Sequence, residues 1–298
     1  MSITFRKLHP VLGAEASSID LREARDRDTL TRIRTGMDEH AVLVFRNQTL
    51  SMQEQLEFAR RLDGELHTKT GASAIVKNRL GDVPVADISN VDAEGKILPR
   101  DDRRRMYSLA NRLWHTDGSF QDPAGRYSTL FASVIPPVRS DTQFADMRAA
   151  YDALDKETQD LLEGLRVHHS IAYSRQVLGF SFSQEEQDQL KGATHPMVRT
   201  NPRTGRRSIY VASHANRIID WPVAEGRLLI WDLIARATQT QSIFGHEWKP
   251  GDLVIWDNLA TMHRGTPFDD SRYHRELRRV TTLDVAYDFE RVPEAATA

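Results

Sequence analysis

In Leu113-Trp-His-Thr-Asp-Gly-Ser119 an imidazole and a carboxylate stand two residues apart. On an extended chain, positions i and i+2 point to the same side. His115 and Asp117 would therefore face one point, with Thr116 turned away. The apolar Leu113 and Trp114 before them and Gly118 after them suit a strand that runs into a turn at a cavity mouth. One more ligand from elsewhere would complete a 2-His-1-carboxylate triad, which leaves positions open on iron(II). With 11 histidines in the chain, about one His-x-Asp tripeptide is expected by chance, so the tripeptide alone decides little. His274-Arg-Glu276 has a similar form but lies in the basic segment RYHRELRR, which makes it the weaker candidate.

Two further segments carry polar residues beside apolar strand patterns. Gly251-Asp-Leu-Val-Ile-Trp-Asp-Asn258 reads as a turn and a buried strand, and His263 follows in Leu-Ala-Thr-Met-His-Arg-Gly265. Arg275-Glu-Leu-Arg-Arg279 then leads into Val-Thr-Thr-Leu283. On a strand, Arg275 and Arg279 share a face and Arg278 takes the other. Two inward guanidinium groups are costly without anions to pair with, and few acidic residues stand at matching positions. They point to two small-molecule anions, against the plainer reading of a solvated edge strand.

The elements that must position these residues are mostly short strands: VADIS, TLFASVI, TQFAD, RVHHSIAY, HPMVRT, RSIYVAS, DLVIW and RRVTTLDV. PRTGRR reads as a hairpin turn between two of them. Apolar spacing predicts a helix between Arg25 and His40 ahead of the buried strand AVLVF. A capping box at Ser51 to Glu54 opens a second helix that reaches about Leu62. A third helix runs from Pro222, a good first-turn proline, to about Thr238. The expected fold is mainly β with peripheral helices, in a single domain over 1–298. Residues 64–84 and 91–110 lose periodicity and are expected to be active-site lid or loop segments. The charge run RDDRRR within the second is expected to be a solvated surface. Residues 293–298 read as a frayed tail.

Composition narrows the chemistry. The chain has 298 residues, 28% charged and 40% hydrophobic, with a net charge of -2, which argues against a large nucleic-acid footprint. No cysteine is present, so disulfides, iron–sulfur clusters and thiol nucleophiles are excluded. Any metal must be held by imidazole and carboxylate. No P-loop, G-x-G-x-x-G or G-x-S-x-G motif occurs. No apolar run is long enough to span a membrane, and the N-terminus lacks the apolar core of a signal peptide. A cytoplasmic protein is expected.

Several segments together resemble the taurine dioxygenase/2,4-dichlorophenoxyacetate dioxygenase family of Fe(II)/2-oxoglutarate-dependent dioxygenases. They include IDLREA, MDEHAVLVFR, ADISNV, LWHTDGSF, DMRAAYDAL, PVAEGRLL, GDLVIWDN, MHRG and RELRRVTTLD, and the similarity runs nearly end to end. The resemblance implies a double-stranded β-helix (jelly-roll) core, with His115, Asp117 and His263 as iron ligands. It places the far carboxylate of 2-oxoglutarate on Arg275 and Thr142, and the substrate carboxylate on Arg279. It implies hydroxylation of an aryloxyalkanoate at the carbon between ether oxygen and carboxylate, as in herbicide degradation. The products would be a phenol, glyoxylate (or a related 2-oxo acid), succinate and carbon dioxide. O2 is a further substrate, ascorbate is expected to support activity, and a homo-oligomer is expected.

Other residues carry weaker expectations. Lys77 and His214 are candidates for touching substrate, against the plainer reading as exposed polar residues. Trp114 would shape the pocket or pack in the core. Trp256 and Asn258 would fix the strand before His263, and Asp257 would either orient a ligand or hold a turn. The rival readings are a taurine-like sulfonate or another aryl acid as substrate, and a non-catalytic metal-binding jelly roll.

Overall fold

The structure, a computed structural model, describes residues 3–68, 78–81 and 84–285. Its largest sheet has seven strands in the order β1 (Phe5–Lys7), β2 (Ala14–Ala16), β3 (Val42–Phe45), β13 (Leu253–Asp257), β5 (Gly125–Val134), β15 (Glu276–Leu283) and β4 (Ala86–Asp87). A smaller sheet runs β12 (Ile243–His246), β6 (Thr142–Asp146), β14 (Thr261–Gly265). The two sheets pack face to face as the mainly β jelly-roll core.

Alternation along the strands explains why the large sheet is covered on both faces. Val42 and Val44, Val254 and Trp256, and Leu130 and Ala132 pack with Phe144 and Phe244 of the smaller sheet. The intervening Leu43, Phe45, Leu253, Ile255 and Phe131 pack with Leu30, Ile33 and Met37 and with Phe58 and Leu62. Those residues belong to α1 (Arg27–His40), capped by Asp26, and α2 (Met52–Asp63), opened by the Ser51–Glu54 capping box. An apolar run such as VLVF is therefore buried on both sides, as expected of a strand between two layers.

A third sheet, β11 (Ala215–Ile218), β7 (Arg166–His169), β8 (Ala193–Pro196), and a hairpin of β9 (Val198–Thr200) with β10 (Arg207–Ile209) flank the barrel. The turn predicted at PRTGRR joins that hairpin, with Thr200 opposite Arg207. α8 (Val223–Ala237) follows Pro222, which stands as its cap rather than inside its first turn. α4 (Met147–Asp152), α5 (Lys156–Glu163) and α7 (Gln184–Gln189) complete the periphery.

Five expectations differ from the structure. RVHHSIAY is a strand only to His169; Ser170 then caps Tyr173 N–H and starts α6 (Ile171–Gln176). HPMVRT is divided at Met197 between two sheets. VADIS contributes only the two residues of β4. Within 91–110, the irregular reading gives way to α3 (Arg103–Ser108), capped by Asp102, and a 3-10 turn from Leu109 to Arg112. RDDRRR is also not simply a solvated surface, because Arg105 is largely buried against Asp270. Local pairing of Asp102 with Arg104 and burial of Tyr107 and Ala110 stabilise this helix, and charge content alone could not show either.

Candidate metal centre and the two arginine cavities

β14 brings His263 to the chain that precedes β5. His115 and His263 form an antiparallel bridge in which each N–H donates to the other's carbonyl, at 2.9 and 2.8 Å. The backbone thus fixes the two rings 4.1 Å apart, centre to centre. Asp117 lies two residues beyond His115, and one ligand atom from each of the three residues falls within 4.8 Å of the others. All three are buried. Thr116 faces away and donates to the carbonyl of Asn258 at 2.6 Å.

The His115 tautomer suits a metal. His115 Nδ1 lies 2.8 Å from the carbonyl of Leu113, so that nitrogen carries the proton and Nε2 keeps its lone pair. Burial pushes His115 down to about 4, partly offset by Asp117. Burial, together with the charge of His115, holds His263 well below its ordinary value. For Asp117 burial acts upward, but Arg279, His263, His115 and the Ser128 hydroxyl outweigh it and hold the carboxyl at about 2. Two neutral imidazoles and one carboxylate are the donor set that a divalent first-row metal requires.

A hydrogen-bonded chain behind Asp117 orients it. Asn258 accepts from Trp256 Nε1 at 2.9 Å and from Asp117 N–H at 3.0 Å, and its Nδ2 donates to Ser128 Oγ. Ser128 in turn donates to Asp117 Oδ2 at 2.7 Å. Asn258 therefore holds the Asp117 turn, and Trp256 packs its ring 4.5 Å from that of His263. Asp257 has the turn role, accepting from Leu259 N–H and pairing with Arg126. Trp114 packs against the cluster around α8 and lies under Arg264 at 4.6 Å.

Arg279 NH1 donates to Asp117 Oδ1 at 2.5 Å. It lines a cavity with His115, Asp117, His214, Tyr107, Phe120 and Arg175. Arg275 precedes β15 and opens into an adjoining cavity, lined also by Asn90, Asn111, Thr266 and Phe268. Ile88, Ser89, Ser108 and Asn111 border both. Asn90, which sequence reading missed, accepts from Arg275 N–H and donates to the carbonyls of Asp270 and Tyr273. Burial draws Arg275 down to about 10, with Asp141 opposing, so it stays charged at neutral pH. Its Nε and that of Arg279 are buried without partners. Thr142 Oγ accepts from Trp248 Nε1 at 3.0 Å, which leaves its own proton for another acceptor.

His214 is buried rather than exposed. Ser174 spends its proton on the carbonyl of Ile171, so His214 Nδ1, 2.9 Å away, must donate to it. Lys77 lies outside the described residues, as do most of 69–83 and the tail from 286. His274 and Glu276 pair with each other, and Glu276 also pairs with Arg79, away from the cluster. Ser128, Arg175 and Tyr107 had no local signal in the sequence; each reaches the site from a different element.

A profile of the taurine catabolism dioxygenase TauD, TfdA family matches residues 4–281, and the chain belongs to that family of dioxygenases. It is 45% identical to the alpha-ketoglutarate-dependent 2,4-dichlorophenoxyacetate dioxygenase of Cupriavidus pinatubonensis, over 96% of this chain and 99% of the relative. It is 33% identical to the (S)-phenoxypropionate/alpha-ketoglutarate-dioxygenase of Sphingobium herbicidovorans, over 88% of each. Among solved structures, AAD-2 in complex with Mn(II) and N-oxalylglycine superimposes with a TM-score of 0.87 at 38% identity, over 96% of this chain and 98% of AAD-2.

Proposed function

We propose that the chain is an Fe(II)- and 2-oxoglutarate-dependent dioxygenase that hydroxylates an aryloxyalkanoate of the 2,4-dichlorophenoxyacetate type. The observation that carries this reading is the juxtaposition of one buried His–Asp–His cluster with two cavities, each lined by an arginine whose Nε is buried without a partner. His115, Asp117 and His263 would hold the metal. Arg275 and the Thr142 hydroxyl would bind the far carboxylate of 2-oxoglutarate, and Arg279 the carboxylate of the substrate. The partnerless Nε atoms of both arginines fit forked carboxylates, the geometry for which arginine is suited and lysine is not. A metal on Asp117 would compete with Arg279 for that carboxylate, which favours turning Arg279 toward an anion.

Iron(II) held by His115, Asp117 and His263 would, with 2-oxoglutarate and O2, supply the oxidation. The protein's own contribution is position. Arg279 fixes the acid head, and so decides which carbon lies nearest the metal cluster. Phe120 and Ile171 supply apolar wall for an aryl ring. Hydroxylation between ether oxygen and carboxylate gives a hemiacetal, which collapses to a phenol and glyoxylate. His214, with Nε2 bare, is an acceptor at the cavity wall. Lys77 is a further candidate for touching substrate, and ascorbate would keep the metal reduced. A homo-oligomeric, cytoplasmic enzyme completes the reading. No helix among the described residues is long and apolar enough to cross a membrane.

The test is phenol release from 2,4-dichlorophenoxyacetate with iron(II), ascorbate and O2, with and without 2-oxoglutarate. Release that requires 2-oxoglutarate supports reaction and substrate together. Succinate without phenol, with taurine or another acid consumed, keeps the reaction and replaces the substrate. Bound iron with neither product leaves the chain a metal-binding jelly roll.

A further inference from the structure

The cavity beside the metal cluster holds more positive charge than the proposed reaction uses. Its lining includes the guanidinium groups of Arg79, Arg104, Arg175 and Arg279. Arg79 pairs with Asp87 and Glu276, Arg104 with Asp102, and Arg279 with Asp117. Arg175 has no carboxylate partner among the described residues. It is 4% exposed, and its NH1 donates to Ser174 Oγ at 2.9 Å. NH2 reaches Asn111 Oδ1 only at 3.4 Å, and Nε is buried with no partner. The guanidinium stands 4.5 Å from the centre of the Tyr107 ring, and the buried Tyr107 hydroxyl has no partner other than this guanidinium. Two neutral acceptors and a ring face offset part of the desolvation of a buried cation, but they do not balance its charge.

We propose that Arg175, from α6, is a second guanidinium for the substrate's anionic group, acting with Arg279 from β15, with the Tyr107 hydroxyl as a further donor. The acid head of the substrate is then held by two arginines that line the same cavity from α6 and β15. Arg175 has no protein carboxylate and Arg279 has only Asp117, which a metal would share, and one substrate carboxylate with four lone-pair sites can serve both arginines. Arg175 also braces the Ser174 hydroxyl that receives the His214 ring, so binding of the acid is tied to the placement of His214. The proposal rests on the reading that this cavity takes an organic acid.

Calorimetric titration of Arg175→Gln, loaded with Mn(II) and N-oxalylglycine, compares 2,4-dichlorophenoxyacetate with the neutral 2,4-dichlorophenoxyethanol. Loss of a charge-assisted contact should weaken the acid about 10- to 100-fold and leave the alcohol and N-oxalylglycine unchanged. In turnover the loss should fall mainly on KM, and Arg175→Lys should restore part of it. Wild-type affinity for the acid, or equal weakening of acid and alcohol, would overturn the proposal. If Arg175→Gln does not fold, Arg175→Lys and Tyr107→Phe decide, and wild-type affinity in both overturns it. If the wild-type protein binds no 2,4-dichlorophenoxyacetate, the substrate reading fails and the clamp fails with it. If it binds and the variants match it, only the clamp fails.

Discussion

At the scale of single residues, the site depends on how Asp117 is held as much as on the three candidate ligands. Ser128 gives its only proton to Asp117 Oδ2 and accepts from Asn258. Ser128→Ala therefore leaves one carboxylate oxygen short of a donor and Asn258 Nδ2 short of an acceptor. Groups that orient metal ligands typically contribute about 10- to 100-fold in affinity, and Mn(II) titration of S128A should show a loss of that order. Unchanged affinity would remove Ser128 from this role. The contrast between Asp117 and Ser128 shows what a sequence can disclose. His115 and Asp117 are readable because strand periodicity puts two metal-binding side chains on one side within three residues. Ser128 sits in GRYSTLF, where nothing local distinguishes it, and it matters only because β5 passes behind the Asp117 turn.

At the scale of elements, the Asp117 turn and the start of β5 are packed too closely for a side chain between them. A Cβ on Gly125 would meet Asp117 O at 2.7 Å and Thr281 Cγ2 at 2.9 Å; a Cβ on Gly118, which has φ +69, would meet Gly125 N at 2.8 Å. Gly125→Ala must shift the turn that carries Asp117, so thermal stability and Mn(II) affinity should fall together. Stability falling alone would show that the turn moves without the ligand. Helix α2 is tied to the sheet through Asp63, which accepts from Thr282 and lies 3.4 Å from Arg34. Burial pushes this carboxyl up to about 6, with Arg34 opposing. Between about 4 and 6 the folded protein keeps a proton that the unfolded chain has lost. This group's contribution is therefore full below about 4 and is lost as pH rises through 6, by at most about 3 kcal/mol. Urea denaturation of Asp63→Asn should show a flatter dependence in that window, and an identical slope would exclude Asp63 as its source. The helices α1, α2 and α8 were legible from apolar spacing and caps. α3 and α6 were not, because one lies in a charge run and the other continues a strand-like pattern. Their stability comes from Tyr107, Ile171 and Ala172 packing with Phe182, contacts made with distant parts of the chain.

At the scale of the whole molecule, two layers of strands support one cluster, and a single strand region presents arginines to two neighbouring spaces. The jelly-roll core could be read from many short strands and family motifs. The division of space around the cluster could not, since it depends on how the chain at 86–111 folds over β15. That division bears on the order of events in catalysis. Arg275 and Arg279 lie four positions apart yet open into separate cavities that share only Ile88, Ser89, Ser108 and Asn111. Each organic acid would consequently have its own anchoring guanidinium, and neither must leave for the other to be held. In steady-state kinetics succinate should compete with 2-oxoglutarate but not with the aryl acid, a pattern that a single shared anion site would not give.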